Sequence, residues 1–430
     1  MTDPLLDLPL RDADPELADL LDAELGRQRS TLDLVASESI PPRAILEAQG
    51  SVLTAKYADG YPGRRDYDTC EWIDEIETLA IKRAKSLFSA EHANVQPYSG
   101  SNANMAVLHG LCRPGEAVLG FDFNHGGHPT HYDESTFAGR CYDAHAYGVR
   151  REDRLVDMDQ VASMAEQLRP RVIFAGWSCY PRLLDFAAFR EIADGVGARL
   201  VVDMAHFAGL VAAGLHPDPV PYADVCTMTV HKTLGGARGG AILCREELAR
   251  AIDDAVYPGT HGCPLPHVLA AKAATFALAR TESYRERMAR TVAGARMIAS
   301  VLVESADRVG AEVVTGGTDV HQLLVDLGPS GRRAAAVLAK LNEIGVSAND
   351  IRIAYDAQDP PAASGLRFGA TALAARGFGE DEFRQVGSLL AEALGSCRRD
   401  DGRDWAAAAP RLRAKVTELL EPFPLYRFLP

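Results

Sequence analysis

ADVCTMTVHKTLGGARGG, residues 223–240, is the stretch on which the reading of this chain turns. Small and apolar residues alternate as far as Val230, as they do where a strand leaves a core, and His231-Lys232 then gives way to glycines. One amine is left at the mouth of a fold. A lone lysine there is ordinarily a solvated charge that ends a strand. A lysine that forms a Schiff base with a carbonyl cofactor needs instead a partly desolvated amine of lowered pKa. The rest of the chain has to choose between the two.

Upstream, RVIFAG (171–176) and RLVVDMAH (199–206) are further apolar strands, with the helical FAAFREIADGVG (186–197) between them. Such alternation implies an α/β class fold, a mostly parallel sheet covered on both faces. Ligands in these sheets gather at the carboxyl ends of the strands, where Ser178, Asp203, His206 and Lys232 stand. Earlier still, ANVQPYSG (93–100) runs into Ser99-Gly100-Ser101 at the start of a helix. Free amides and the positive end of a helix dipole make such a turn a phosphate site, although it has neither the dinucleotide nor the Walker glycine spacing. EAVLGFDFNHGGHPTH (116–131) brings His125, His128 and His131 close together. A metal reading finds no HExxH pattern and no cysteine partner, whereas a flat aromatic cofactor would also want an imidazole beside it. KYADGYPGRRDYD (56–68) sets Tyr57, Tyr61 and Tyr67 near Arg64 and Arg65 in a segment too irregular for helix or strand, the composition of a functional loop.

From Thr281 the text shifts to a long helical stretch, then HQLLVDL (321–327), the helical RRAAAVLAKLNEIG (332–345), the short RFGA and two more helices. We therefore expect an N-terminal arm over 1–34, a large α/β domain over 35–280 and a smaller α+β domain over 281–430. In the arm, Asp14 is an N-cap, Pro15 opens the helix, and Leu17, Leu20, Leu21 and Leu25 form a stripe that needs a surface to cover, on the same subunit or a neighbour.

With 430 residues, 47% of them hydrophobic and 24% charged, the chain has ordinary globular composition and length for two or three domains. Its formal charge of −14 argues against nucleic acid or an anionic membrane as partner. The eight cysteines are scattered, the N-terminus lacks a signal-peptide pattern, and no apolar run spans a bilayer, so a cytoplasmic protein with reduced thiols is expected.

A pyridoxal 5'-phosphate site needs a lysine, a carboxylate that keeps the ring nitrogen protonated, an anion cradle and a group packed on the ring. Lys232, Asp203, the Ser99-Gly100-Ser101 turn and His128 supply one each. With these in view the chain resembles the serine hydroxymethyltransferase family of fold-type I pyridoxal phosphate enzymes. LVASES, KYADGYPGRR, NVQPYSGSNAN, HGGHPTH, VVDMAHFAGLVAAGLHP, HKTLGGARGG, YPGTHGCPLPH and SGLRFG follow one another in family order from about Leu32 to Gly379. The resemblance implies that the sheet has about seven strands and that Lys232 carries the cofactor, Asp203 pairs with the ring nitrogen, His128 stacks on the ring, and Ser99, Gly100 and Ser101 take the phosphate. It implies that Ser178 and His206 stand at the ring hydroxyl and that Thr229 sits just before the lysine. Arg367, with Ser37 and Tyr67, would hold the amino acid carboxylate. Tyr57 and Gly262 would serve a neighbouring subunit, which implies a homodimer with shared sites.

Departures gather on one side. Asp59 stands where the family has glutamate, Asp66 replaces a tyrosine, Phe123 and Pro129 replace leucines, Cys263 replaces a glycine, and Ile351 falls on an expected pteridine-binding asparagine. From these we expect an enzyme that makes or breaks the Cα–Cβ bond of a serine- or threonine-type β-hydroxy-α-amino acid. It would be a folate-independent aldolase or transaldolase acting with an aldehyde. The alternative is the family's transfer to tetrahydrofolate, and a third reading is a non-catalytic binder of the cofactor.

Overall fold

The computed structural model describes residues 3–328, 332–356, 363–398 and 403–429. Its apolar runs assemble into seven strands, β1 (His92–Asn94), β2 (Ala117–Phe121), β3 (Asp143–Tyr147), β4 (Val172–Gly176), β5 (Arg199–Asp203), β6 (Val225–Thr229) and β7 (Gly240–Cys244). They lie in the order β1-β7-β6-β5-β4-β2-β3. All neighbours pair parallel except β7, which runs against both β1 and β6. Every residue of β4, β6 and β7 is buried, which is why these strands read as unbroken small and apolar text. Side chains alternate between the faces with period two. Ile173 and Ala175 of β4 join the larger core, which includes Phe189 and Phe207, and Val172 and Phe174 join a second layer with Leu108 and Ile252.

Two strands differ from expectation. The polar DAHAY of β3 forms an edge, and β7 emerges directly from the glycine run, so the stretch that opened the reading is the turn between two antiparallel neighbours. β1 is also shorter than the text suggested. The Asn94 side chain accepts from the Gln96 amide at 3.0 Å, and Pro97 has no amide to continue a ladder.

The smaller sheet is antiparallel, β8 (Glu312–Val313), β9 (Gln322–Asp326), β10 (Asn349–Ile351) and β11 (Gly365–Gly369), in the order β8-β9-β11-β10. Its core joins Leu323, Leu366 and Phe368 to Phe383, Leu390 and Leu412 of the last helices, and Leu32 and Leu34 from the N-terminal segment pack there too. A single helix, α1 (Glu282–Glu304), serves both cores. Tyr284, Met288 and Val292 pack into the larger one, and Ala295, Ile298 and Leu302 into the smaller. In the arm, Asp14 caps the Pro15–Arg29 helix by accepting from the Leu17 amide at 3.0 Å, while Leu17, Leu20 and Leu21 remain exposed. No helix among the described residues is long and apolar enough to cross a membrane.

Candidate active site

The strand ends set the floor of the site. Thr229, the last residue of β6, donates to the Ala205 carbonyl at 3.1 Å, which ties the ends of β5 and β6 together just before Lys232. Lys232 follows two residues after Val230, half-buried in the turn, and Gly235 donates to its carbonyl at 2.9 Å. Desolvation lowers its amine to about 8, against the pull of Asp203, and the positive charge of Arg367 adds to the lowering. This is the amine a carbonyl needs, since a substantial fraction is neutral near physiological pH.

Beside it the helix Gly100–Leu111 begins with Ser99 as N-cap, whose hydroxyl accepts from the Asn102 amide at 3.0 Å. The Gly100 and Ser101 amides, in the first turn, have no carbonyl four residues back and point free. A Cβ on Gly100 would meet the Thr229 methyl at 2.8 Å, and one on Gly240 would meet the Ser99 carbonyl oxygen at 2.3 Å, so the turn is seated on β6 and β7 only because both residues are glycine.

Asp203 ends β5 and is buried. Its Oδ2 accepts from Asn104 at 2.8 Å and from His131 at 3.0 Å, and its Oδ1 from the Ala205 amide at 3.0 Å. Burial raises such a group, but the hydrogen bond and charge of His131, with His128 and Asn104, outweigh it and hold the carboxyl below the usual range. An ionised carboxylate has about four lone-pair directions, so one remains for a protonated ring nitrogen. His128 is lowered to about 4 by desolvation first and then by His131, and is neutral at pH 7. His206 is buried and lies well below its ordinary value, from desolvation and then the charges of Lys232 and Arg367. Its Nδ1 lies 3.4 Å from Nε2 of His321, the residue before β9.

Arg367 comes from the other core, at the middle of β11 opposite Asn349. One terminal nitrogen donates to the Ser178 carbonyl at 2.9 Å and to Cys179 at 3.2 Å, and the other to Asn349 Oδ1 at 2.9 Å. Its Nε is buried without a partner. A carboxylate would satisfy that donor. Ser37 follows Ala36, which packs so closely on Gly369 that a Cβ there would lie 2.4 Å from its Cα, two residues from Arg367. Amine, carboxylate, anion cradle and guanidinium together fit pyridoxal 5'-phosphate and an α-amino acid.

Tyr57, Asp59, Tyr67 and Gly262 form a separate group. The two tyrosine rings meet edge-on at 5.3 Å and are exposed, and Asp59 has a buried oxygen without a partner. The Ala58 amide donates to Cys263 at 3.2 Å, which joins this loop to the Gly262 turn. Among the described residues, no hydrogen bond or ring contact links these four to Lys232, Asp203, His128 or Arg367.

Asn104, Thr130, Thr227 and His131 were not expected as site residues. A polar residue inside a helix or strand carries no sequence mark of what it faces, and His131 was visible only as one of three histidines. His125 takes no part in this cluster: its Nδ1 accepts from the Val149 amide at 3.0 Å and its ring packs on Tyr355 at 4.8 Å. Ile351 lies in a small apolar cluster with Val314, Leu324 and Ile353, so its side chain has a packing reason unrelated to a lost pteridine hydrogen bond.

Comparison with known proteins places these features in a lineage. The family described as serine hydroxymethyltransferase matches residues 10–390. The chain is 54% identical to serine hydroxymethyltransferase of Clavibacter sepedonicus over 98% of its own length and 97% of the relative's. It is equally similar, over the same shares, to that of Mycobacterium avium (strain 104). It is 51% identical to serine hydroxymethyltransferase 1 of Mycobacterium tuberculosis (strain CDC 1551 / Oshkosh) over 99% of this chain and 96% of that one. Relatives so named, at this identity over the full length, do not support the expected folate-independent aldolase or transaldolase and favour its alternative.

Proposed function

The chain belongs to the serine hydroxymethyltransferase family, and we propose that it catalyses that family's own reaction, moving the hydroxymethyl carbon of serine to tetrahydrofolate and leaving glycine. The observation that carries the reading is geometric: Lys232 in the turn after β6, Asp203 held at the end of β5 by Asn104 and His131, the glycine-seated Ser99 turn, and Arg367 with a buried Nε that has no partner. Bound there, pyridoxal 5'-phosphate supplies an electron sink for the pair released when the Cα–Cβ bond of serine breaks.

The protein's own groups do the rest. Lys232 offers the amine that holds the cofactor and yields it to the substrate amine. Asp203 keeps the proton on the ring nitrogen, without which the sink is shallow. Neutral His128 packs on the ring without adding a competing charge, and Ser178 and His206 stand at the ring hydroxyl. Ser99, Gly100 and Ser101 hold the phosphate, and Thr229 sets the height of Gly100 beneath it. Arg367 binds the substrate carboxylate through its unpartnered Nε and a terminal nitrogen, a paired geometry that lysine cannot provide. Ser37 helps seat that carboxylate, as does Tyr67 contributed by a second copy of the chain.

Tyr57, Asp59, Tyr67 and Gly262 complete the site of a second copy of the chain, so the working unit is a homodimer in the cytoplasm. Their separation from Lys232 and the exposed leucines of the arm support this. Asp59 is the proton-handling group of the folate step, and tetrahydrofolate lies toward Asp59, Phe123 and Pro129. Incubation of purified protein with serine, with and without tetrahydrofolate, tests the reading. Glycine should appear at an appreciable rate only with the folate, and equal rates in its absence would return the aldolase.

A further inference from the structure

Asn104 sits on the inner face of the helix whose N-terminus holds the phosphate turn, and it is almost fully buried, at 1% exposure. Every hydrogen-bonding position on its amide but one acceptor lone pair is taken. Its nitrogen donates to Asp203 Oδ2 at 2.8 Å and to Thr130 Oγ1 at 2.9 Å. Its oxygen accepts from Thr227 Oγ1 of β6 at 2.6 Å. The ionised carboxylate can only accept, so the amide has one possible orientation.

His128 Nδ1 accepts from the Thr130 amide at 3.3 Å, and the Thr130 hydroxyl, whose oxygen accepts from Asn104, gives its own hydrogen to the same nitrogen at 2.6 Å. His128 Nδ1 therefore carries no proton, and the ring is the neutral tautomer protonated at Nε2. A single amide thus bonds the carboxylate on one side of the ring site and the hydroxyl that faces the imidazole on the other. The helix that opens at Ser99 carries it, so that helix is joined to both.

We infer that Asn104 is a positioning residue that sets the electronic state of the cofactor site by fixing Asp203 as acceptor, and that it ties that carboxylate through the Thr130 hydroxyl to His128. This rests on the proposed binding of pyridoxal 5'-phosphate at Lys232. The charged and titratable groups facing the amide or its partners are Asp203, His131, His128 and Lys232. The low values of His128 and Asp203 agree with the orientation but follow partly from burial and from His131.

The test is spectroscopic. Asn104→Ala and Thr130→Val proteins are titrated with pyridoxal 5'-phosphate, and the absorbance of bound cofactor is followed from about pH 6 to about pH 10. Loss of a hydrogen bond to a charged group should weaken cofactor binding roughly 10- to 100-fold in Asn104→Ala and move the absorbance midpoint by about one pH unit. Thr130→Val, which removes the hydroxyl between Asn104 and His128 but leaves the Asn104–Asp203 bond, should weaken binding without moving the midpoint. If Asn104→Ala does not fold, Thr227→Val, which releases the amide's carbonyl, replaces it with the same direction of change. A folded Asn104→Ala or Thr227→Val protein with lower thermal stability but wild-type midpoint and affinity would overturn the inference and leave Asn104 a packing residue. Wild-type protein that binds no pyridoxal 5'-phosphate would instead sink the functional reading, before any variant is compared.

Discussion

Lys232 titrates where a physiological change matters. With its amine lowered to about 8 by desolvation, roughly a tenth is neutral at pH 7, and only the neutral form attacks a carbonyl. Capture of pyridoxal 5'-phosphate by the apo-protein should therefore quicken almost tenfold per pH unit up to about 8 and then level off. Rapid-mixing absorbance measures it, and a profile flat from about pH 6.5 upward would contradict the assigned amine. On the proposed function Asp59 acts in a different step. Asp59→Asn should lower folate-dependent glycine formation by on the order of 100-fold, whereas Asp59→Glu, which restores the family's longer reach, should match or exceed the wild type. Equal turnover in all three proteins would remove Asp59 from the chemistry. Lys232 and Asp203 were legible in the sequence because each ends or follows an apolar run beside small residues, whereas Arg367, at the middle of β11, came only from the family resemblance. Asn104 and His131 were not legible, because their partners come from three other segments that only the folded sheet brings within 3 Å.

At the scale of elements, the phosphate turn depends on close backbone approach. Gly240→Ala would drive a Cβ to within 2.3 Å of the Ser99 carbonyl oxygen, an atom with no side-chain freedom to yield. The turn must move, and the variant should lose its cofactor during prolonged dialysis under conditions where the wild type keeps it. Behind the same turn, Lys272 is buried and donates to the Val95 and Pro97 carbonyls at 2.6 and 2.9 Å. Desolvation lowers it to about 7, against the nearby charge of Glu77. The unfolded chain keeps its proton to about pH 10, so between about pH 7 and 10 the unfolded state binds more protons and stability rises with pH. Lys272→Met should flatten that rise in urea-midpoint measurements, and an unchanged slope would mean that the buried amine stays protonated. The alternation of strands and helices and the mostly parallel sheet were readable from the sequence, but the reversal of β7 was not. Nothing in AILC says that β7 runs against its neighbours, and the glycines before it read as a simple loop. The polar β3 was hidden for another reason, since an edge strand needs no continuous apolar run.

The whole molecule divides its proposed chemistry between copies. If Tyr57, Asp59 and Gly262 serve a partner's lysine, Lys232→Ala and Asp59→Asn homodimers should each be inactive, yet subunit exchange between them should regenerate one intact site per mixed dimer. Recovered activity of up to about a quarter of wild type, read by glycine formation, is the expected result. No recovery despite exchange verified by mass would place both residues in one chain's site. Within a copy, α1 joins the core beneath Lys232 to the core that carries Arg367. Its 23 residues form a rod of about 35 Å, anchored in one core over its first half and in the other over its second. Gly294, near its midpoint, lies so close to Phe383 that a Cβ would sit 2.4 Å from the ring, so the rod is clamped as well as buried. A strut of this kind couples the two cores. On the proposed function Lys232 and Arg367 act at the amine and carboxylate that all α-amino acids share. Recognition there is blind to side chains, and the choice of serine would fall to the loops brought by the other copy.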